Sequence, residues 1–78
     1  MTPEEYVQQH KAAFRIAFDF LNAHFPPGQD PEWFEQTAKD FSEVGTVNYS
    51  NDLAIQLLLG VYSYLEHEWK RRNLHADH

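Results

Sequence analysis

One segment, residues 52–72, constrains the fold more than any other part of this 78-residue chain. As a helix it would be roughly 30 Å long, at about 1.5 Å per residue. With residues placed about 100° apart, its apolar side chains cover an arc of very roughly 240°. A helix on a protein surface needs only a narrow apolar stripe, so this helix is predicted to be central. Its apolar residues are Leu53, Ala54, Ile55, Leu57, Leu58, Leu59, Val61, Tyr62, Tyr64, Leu65 and Trp69.

Start and stop signals predict a first helix over residues 3–24. Thr2 can act as its N-cap, and Pro3 suits the first helical position. Pro26 ends the helix, because proline disfavours helical geometry in the residue before it. Steps of three and four residues predict an apolar face that contains Val7, His10, Phe14, Ala17, Phe18, Leu21 and Phe25.

A second, shorter helix is predicted over residues 31–43. Asp30 is its expected N-cap, and Gly45 is expected to take the left-handed conformation that ends a helix. Residues 46–49 then form an ordered loop, and residues 73–78 are expected to fray after the third helix.

The chain is expected to form one compact all-α domain, residues 1–78, with the long third helix at its centre. It has no cysteine, so disulfides cannot support the small core that a chain of this length can build. Two shorter helices can cover one side of the wide apolar arc, and a second copy would be the most economical cover for the rest. We therefore predict a homodimer that forms a larger helical bundle. The alternative is that the first two helices and the 46–49 loop wrap the third helix completely.

The residues predicted to contact a second copy lie on the third helix. They are Leu58, Tyr62, Tyr64, Leu65 and Trp69. Tyrosine and tryptophan combine an apolar ring with a polar atom, a character favoured at interfaces, although core packing explains these aromatic residues equally well. Gly60 lies in the same helix and costs about 1 kcal/mol relative to alanine, which indicates a close backbone approach such as a crossing helix.

Histidines are the main candidates for chemistry. His10 lies near the middle of the predicted apolar face of the first helix and is a possible buried polar site, while His24 lies on the flank of that face. About 21 Å of helix separates them, so they cannot share a metal unless another element supplies ligands. A hydrogen-bonded core or interface histidine is the better interpretation of His10. No catalytic constellation or glycine-rich phosphate motif is present, so neither enzyme activity nor a cofactor or metal is predicted.

The chain is acidic, with 12 Asp and Glu against 6 Lys and Arg and a formal charge of −6. Direct nucleic-acid binding is not expected, because contacts with phosphates need clustered basic residues. The longest apolar stretch is too short to span a membrane, and the acidic N-terminal sequence does not resemble a signal peptide. A cytoplasmic protein is therefore expected.

These features favour a non-enzymatic protein–protein interaction module that self-associates and presents an acidic surface to a protein partner. Two alternatives stay open. One is a regulator whose carboxylates mask a basic nucleic-acid-binding partner, a complex that low salt would tighten. The other is a small-ligand or metal binder that uses His10, His24 and the tyrosines of the third helix around an internal pocket.

Overall fold

The computed structural model describes the backbone of residues 1–74 and the side chains of residues 1–73. It contains three helices, α1 (Pro3–His24), α2 (Pro31–Val47) and α3 (Asp52–Leu74), and no strand within these residues. The predicted all-α architecture of three helices is confirmed. The molecule measures 53 × 19 × 15 Å along its principal axes, so the helices form a long, thin bundle.

The N-cap predictions for α1 and α2 are confirmed. Thr2 Oγ1 accepts a hydrogen bond from the backbone N–H of Glu5 (3.2 Å), and Asp30 Oδ1 accepts one from the N–H of Trp33 (3.2 Å). α1 also ends at the predicted residue, because Phe25 has extended backbone angles, φ −111° and ψ 135°. These signals act within one helical turn, which is why the sequence alone reveals them.

The end of α2 differs from the prediction, since the helix runs to Val47. The prediction that Gly45 ends the helix in a left-handed conformation is wrong, because no glycine in the described residues has a positive φ. Gly45 instead faces Ile55 of α3, whose Cδ1 lies 4.0 Å from where a Cβ would be. This packing outweighs the low helix propensity of glycine. The predicted 46–49 loop is therefore helical in its first two residues and a turn only after them.

The first residues of α3 are tied to α1. Asn51 Oδ1 accepts a hydrogen bond from the N–H of Ala54 (3.1 Å), and Asn51 Nδ2 donates to the carbonyl of Gln9 in α1 (3.1 Å). At its other end α3 runs to Leu74, so residues 73 and 74 of the predicted frayed tail are helical. The rest of that prediction, residues 75–78, lies outside the described residues.

Contacts between helices fix their directions. The Asn51 contact joins the start of α3 to the first half of α1, and Phe25, just after α1, stacks on Tyr64, so α1 and α3 run parallel. Phe34 near the start of α2 contacts Trp69 near the end of α3, so α2 runs antiparallel to both. α3 packs against both other helices, whereas α1 and α2 meet in only a few places. The third helix is therefore central, as predicted.

The core is small and lies along α3. Its buried apolar side chains are Ala13, Ala17, Phe20, Ala54, Leu58 and Leu65. Half-buried side chains packed against them are Ile16, Leu21, Trp33, Phe41, Val44 and Val61. Because alanines from both α1 and α3 are buried, these two helices approach each other through small side chains.

The buried face of α1 differs from the prediction. The exposed members of the predicted face are Val7, His10, Phe14, Phe18 and Phe25. Ala17 is buried and Leu21 packs against the core as predicted, but the other residues that α1 turns inward are Ala13 and Phe20. The alanines allow a close approach to α3, and the ring of Phe20 then lies edge-on to Phe41 of α2, with centroids 6.2 Å apart. This rotation leaves His10 at the surface of the single chain, so the prediction of His10 as a buried core residue is wrong, and its place in an interface stays a prediction.

Candidate interaction surface

An exposed line of apolar side chains runs along α1. It consists of Val7, Phe14, Phe18 and Phe25, and its two central phenylalanines are 60 % and 57 % exposed. At about 100° per residue, Val7, Phe14 and Phe18 lie within an arc of about 40° on one side of the helix, and Phe25 follows its last residue. Their steps of seven, four and seven residues match alternate positions of a coiled-coil seam, and the seam position between Val7 and Phe14 is the exposed Lys11. A line of this kind suits contact with another helix.

A second line on α3 extends this surface. Phe25 stacks on Tyr64, with ring centroids 6.0 Å apart and planes inclined by 13°. Leu53 and Leu57 are half-buried and lie on the same side of α3 as Tyr64 by helical periodicity. Gly60 lies on this side too, and nothing stands within 4 Å of where its Cβ would be, so the predicted close approach at Gly60 is not made within the chain. The two lines together, here named the α1/α3 face, comprise Val7, Phe14, Phe18, Phe25, Leu53, Leu57, Gly60 and Tyr64.

The side of α3 that faces α2 is closed by aromatic rings. Tyr62 packs against Phe41 with centroids 4.6 Å apart, and Phe34 contacts both Tyr62 and Trp69, at 6.0 and 5.2 Å. Burial raises the pKa of the Tyr62 hydroxyl, and the nearby Glu66 carboxylate adds to this rise. Among the residues that the structure describes, the buried Nε1 of Trp69 finds no hydrogen-bond partner. These rings are occupied by contacts within the chain.

The five predicted interface residues therefore fall in different environments. Leu58 and Leu65 are 0 % and 1 % exposed, so the prediction that they contact a partner is wrong for the folded chain. Tyr62 and Trp69 are half-buried against α2. Tyr64 alone belongs to the exposed apolar surface. Sequence reasoning did not predict that residues of α1 form part of an interaction surface. One feature of the sequence could have indicated it: the apolar arc of α1 is wide, because it combines a line of alanines with a line of phenylalanines.

Charge is distributed unevenly among the helices. Residues 30–47, which include α2 and its cap, carry five acidic residues and one basic residue, whereas α1 and α3 together carry six acidic and five basic residues. α2 packs on the side of α3 that carries Tyr62, and residues two apart on a helix point to different sides, so Tyr64 and the α1/α3 face lie away from α2. The acidic surplus and the apolar face are thus on different sides of the molecule.

A polar contact joins the end of α1 to α2. His24 Nδ1 donates to the carbonyl of Phe20 (2.7 Å), and His24 Nε2 donates to Oδ2 of Asp40 (2.9 Å). Both partner atoms are acceptors, so each bond needs an N–H hydrogen on the ring nitrogen that faces it. Hydrogen bonds from His24 and then from Gln36 hold the pKa of Asp40 below its ordinary value. The partly buried histidine is therefore His24 rather than His10, and its partner on another helix has no local sequence signal.

A smaller apolar patch lies at the turn between α2 and α3. Val47 and Tyr49 are about four-fifths exposed there, next to the half-exposed Leu59. A shallow groove beside them is lined by residues of both helices, including Phe41 and Ile55. This patch is separate from the α1/α3 face, because it lies on the α2 side of α3.

Comparisons with known proteins give no relative. No family model, no curated protein and no solved structure matches the chain. Within the described residues, no group of three or more His, Asp or Glu side chains is placed to hold a metal ion. None of the three helices, over the part of the chain that the structure describes, is long and apolar enough to cross a membrane.

Proposed function

We propose that this chain is a non-enzymatic protein–protein interaction module that forms a homodimer through the α1/α3 face. The observation that carries the proposal is the exposure of Phe14 and Phe18 in a seam-like line along α1. Full burial of a phenylalanine side chain is worth about 1.5–3 kcal/mol relative to its exposure. In a single chain these side chains stay more than half exposed, so much of this stabilisation is not realised. A second helix packed on the line would bury them and so stabilise the complex.

The surface area of the chain supports the same proposal. Its accessible surface is 5664 Å². A folded monomer of 9.2 kDa is expected to expose about 4,900 Å². The excess of about 700 Å², to which the elongated shape of 53 × 19 × 15 Å contributes, is close to the roughly 800 Å² that each partner buries in a standard interface. The extra surface is therefore compatible with one homodimer interface.

The charge distribution is compatible with self-association through this face. Two chains of charge −6 repel each other, but the acidic surplus lies on α2, on the other side of α3. Exposed charges more than about 10 Å apart are largely screened at 0.1 M salt. In the proposed dimer the acidic surface of α2 faces outward, where it can contact a protein partner of opposite charge. A cytoplasmic location stays part of the proposal.

Sedimentation equilibrium of the wild type and of a Phe14→Glu/Phe18→Glu variant tests the proposal. We expect a wild-type dimer and a monomeric variant, because two carboxylates per chain would have to be desolvated against an apolar line. Val47→Glu is the matched control, since Val47 is 79 % exposed but lies outside the face, and it should stay dimeric. Far-UV circular dichroism verifies that all variants keep their helices. A monomeric wild type, or a double variant that remains dimeric, contradicts the proposal.

A second candidate function is a regulator that masks a basic nucleic-acid-binding partner. It is favoured by the five acidic residues of the α2 region, among which Glu32, Glu35 and Glu43 are exposed. Binding of a peptide rich in Lys and Arg should then weaken with added salt and be lost in a Glu32→Lys/Glu35→Lys variant. The third alternative, a ligand or metal binder, has lost its main support, because His10 lies at the surface.

A further inference from the structure

We infer that the second copy docks in an antiparallel orientation, with α1 against α1 and α3 against α3 about a single two-fold axis. This inference rests on the proposed homodimer and adds its geometry. The axis would cross α1 at position 16 and α3 between positions 58 and 59. It is supported by the positions of the two apolar lines, by the offset between α1 and α3, and by the charges at the helix ends.

The line on α1 is symmetric about its midpoint. Val7 and Phe25 each lie nine residues from position 16, and Phe14 and Phe18 each lie two residues from it. An antiparallel copy therefore places Phe14 opposite the partner's Phe18, and Val7 opposite the partner's Phe25. A parallel copy would also pair apolar residues, so this line alone shows that a helix fits there and leaves its direction open.

The midpoint of the apolar line on α3 lies at about the same level along the bundle as the midpoint of the line on α1. Leu57 and Gly60 are equally far from the point between positions 58 and 59, and so are Leu53 and Tyr64. The hydrogen bond from Asn51 to the carbonyl of residue 9 places those two positions side by side. From that level, at about 1.5 Å per residue, the midpoint lies about 10.5 Å along α1 and about 11 Å along α3. Counted from the stacking of Phe25 on Tyr64, the two midpoints agree to about 5 Å. One two-fold axis perpendicular to both helices requires this agreement, and a parallel dimer does not.

The offset between α1 and α3 favours the antiparallel orientation. The first two turns of α1 run past the start of α3, and α3 continues for ten residues beyond Tyr64, the residue that stacks on Phe25 at the end of α1. In an antiparallel dimer the start of α1, which has no α3 beside it, and the end of the partner's α3, which has no α1 beside it but contacts α2, lie at the same end of the bundle, where they can cover each other. In a parallel dimer the two free starts of α1 meet without an α3 beside either of them.

The charges on these free ends are complementary. α1 begins with Glu4 and Glu5, whereas the end of α3 carries three basic residues, Lys70, Arg71 and Arg72, which share the two carboxylates of Glu66 and Glu68 and so leave a net positive charge. At about 1.5 Å per residue, both groups lie about 16–20 Å from the proposed axis, on opposite sides of it in one chain. The two-fold axis therefore brings the carboxylates of one copy to the basic residues of the other. A parallel dimer would gather four carboxylates at one end, and their mutual repulsion disfavours it.

The axis also gives a role to Gly60. It places Gly60 opposite the partner's Leu57, and the open space at Gly60 leaves room for that leucine side chain. The close approach that a glycine inside a helix indicates is then made by the partner's α3 rather than by a helix of the same chain.

Disulfide cross-linking of two single-cysteine variants tests the orientation, because the chain has no native cysteine. Val7→Cys and Phe25→Cys proteins are mixed and oxidised, and the cross-linked dimers are identified by their masses. The mixed disulfide should dominate, since residue 7 lies opposite the partner's residue 25. The two copies of residue 7 would be about 27 Å apart, which is too far for a disulfide. Val47→Cys, outside the face, measures the background from random collisions.

A spin label on Val7→Cys gives a second measurement in which every phenylalanine is kept. The label-to-label distance should be about 27 Å in the antiparallel dimer and about 10 Å in a parallel one. Sedimentation of the same variants before oxidation separates two failures. A monomer overturns the proposed homodimer itself. A dimer that gives mainly the Val7→Cys homodisulfide, no disulfide above background, or the short distance overturns only the antiparallel orientation.

Discussion

The two sides of α3 use aromatic residues in opposite ways. On the side that faces α2, Phe34 and Phe41 of α2 pack against Tyr62 of α3. On the side that faces α1, alanines make the close contact, and Phe14 and Phe18 of α1 point outward. Aromatic residues thus complete the fold on one side and remain as exposed surface on the other.

This difference explains why a short chain can be folded and still carry a large apolar surface. The single apolar face of α2 packs on α3. The remaining surface of α2 is polar, and its acidic residues outnumber its basic ones. α1 has two apolar lines: the alanine line packs on α3, whereas Phe14 and Phe18 of the other line are more than half exposed. The α2 side therefore has the composition of a solvated surface, and the α1 side that of one half of an interface.

The largest effect on the free energy of unfolding is expected at Leu58, where the two sides of α3 meet in the core. Leu58 is 0 % exposed and belongs to the core, so Leu58→Ala should lower the free energy of unfolding by about 2–5 kcal/mol. Leu59→Ala, next to it but half-exposed, should cost less than about 1 kcal/mol. Urea unfolding at one fixed protein concentration measures both. Equal losses would mean that the core does not lie where the structure places it.

The next prediction compares one phenylalanine from each side. Phe41→Ala removes a half-buried ring from the α2 side and should cost about 2–3 kcal/mol of unfolding free energy, somewhat below the range for fully buried rings. Phe18→Ala should change the unfolding of the monomer by less than about 1 kcal/mol and weaken dimerisation by about tenfold or more. Unfolding is measured in a monomeric Phe14→Glu background and dimerisation by sedimentation. If both variants lose the same stability as monomers, the two sides do not differ as described.

Local signals in the sequence reach as far as one helical turn. The caps at Thr2 and Asp30 bond to N–H groups three residues later, and the helix starts they predict are confirmed. Gly45 shows the limit of such local signals. It is helical rather than left-handed, and it lies next to Ile55 of another helix, a neighbour that the local sequence does not reveal. For the same reason His24 could not be paired with Asp40 from the sequence.

The apolar surface was only partly predictable. The sequence indicates an excess of apolar surface and places it on the third helix, whereas the structure has the larger exposed part on α1. Which of α1's two lines faces α3 depends on the distance between the helix axes, and alanines such as Ala13 and Ala17 permit the shorter distance. A rule that treats each helix as having one apolar stripe assigns Phe14 and Phe18 to the core.

A smaller effect is expected where α1 and α2 meet directly. Hydrogen bonds from His24 and Gln36 hold the pKa of Asp40 below its ordinary value, so ionised Asp40 stabilises the folded chain. This stabilisation is present above the unfolded-state pKa, near about 4, and is lost as pH falls through the lower pKa of the folded state. Asp40→Asn should cost about 1 kcal/mol at neutral pH and flatten the decline of stability in acid.

Urea unfolding from neutral to acidic pH measures this effect. Asp19→Asn is the control, because its ion pair with Arg15 is exposed and should contribute less than about 1 kcal/mol. A variant at Asp40 whose stability falls with acid as steeply as that of the wild type would show that the contact with His24 does not contribute.

The smallest effect on folding is expected at Gly60. A substitution by alanine there should stabilise the folded chain but weaken the dimer. In the monomeric Phe14→Glu/Phe18→Glu background, Gly60→Ala should raise the free energy of unfolding by about 0.5–1 kcal/mol, because alanine favours the helix and open space surrounds the site. Gly28→Ala is a control of opposite sign, since its Cβ would lie 2.8 Å from Trp33, and it should destabilise the same background.

In the dimer the same substitution at Gly60 has a second consequence. The added methyl group would enter the space opposite the partner's Leu57, so Gly60→Ala should weaken dimerisation even though it strengthens each helix. Sedimentation equilibrium of Gly60→Ala without the glutamate substitutions measures this separately from folding. If dimerisation is unchanged, α3 does not meet the partner's α3 at Gly60, and the α1/α3 face must close through the phenylalanine line of α1 alone.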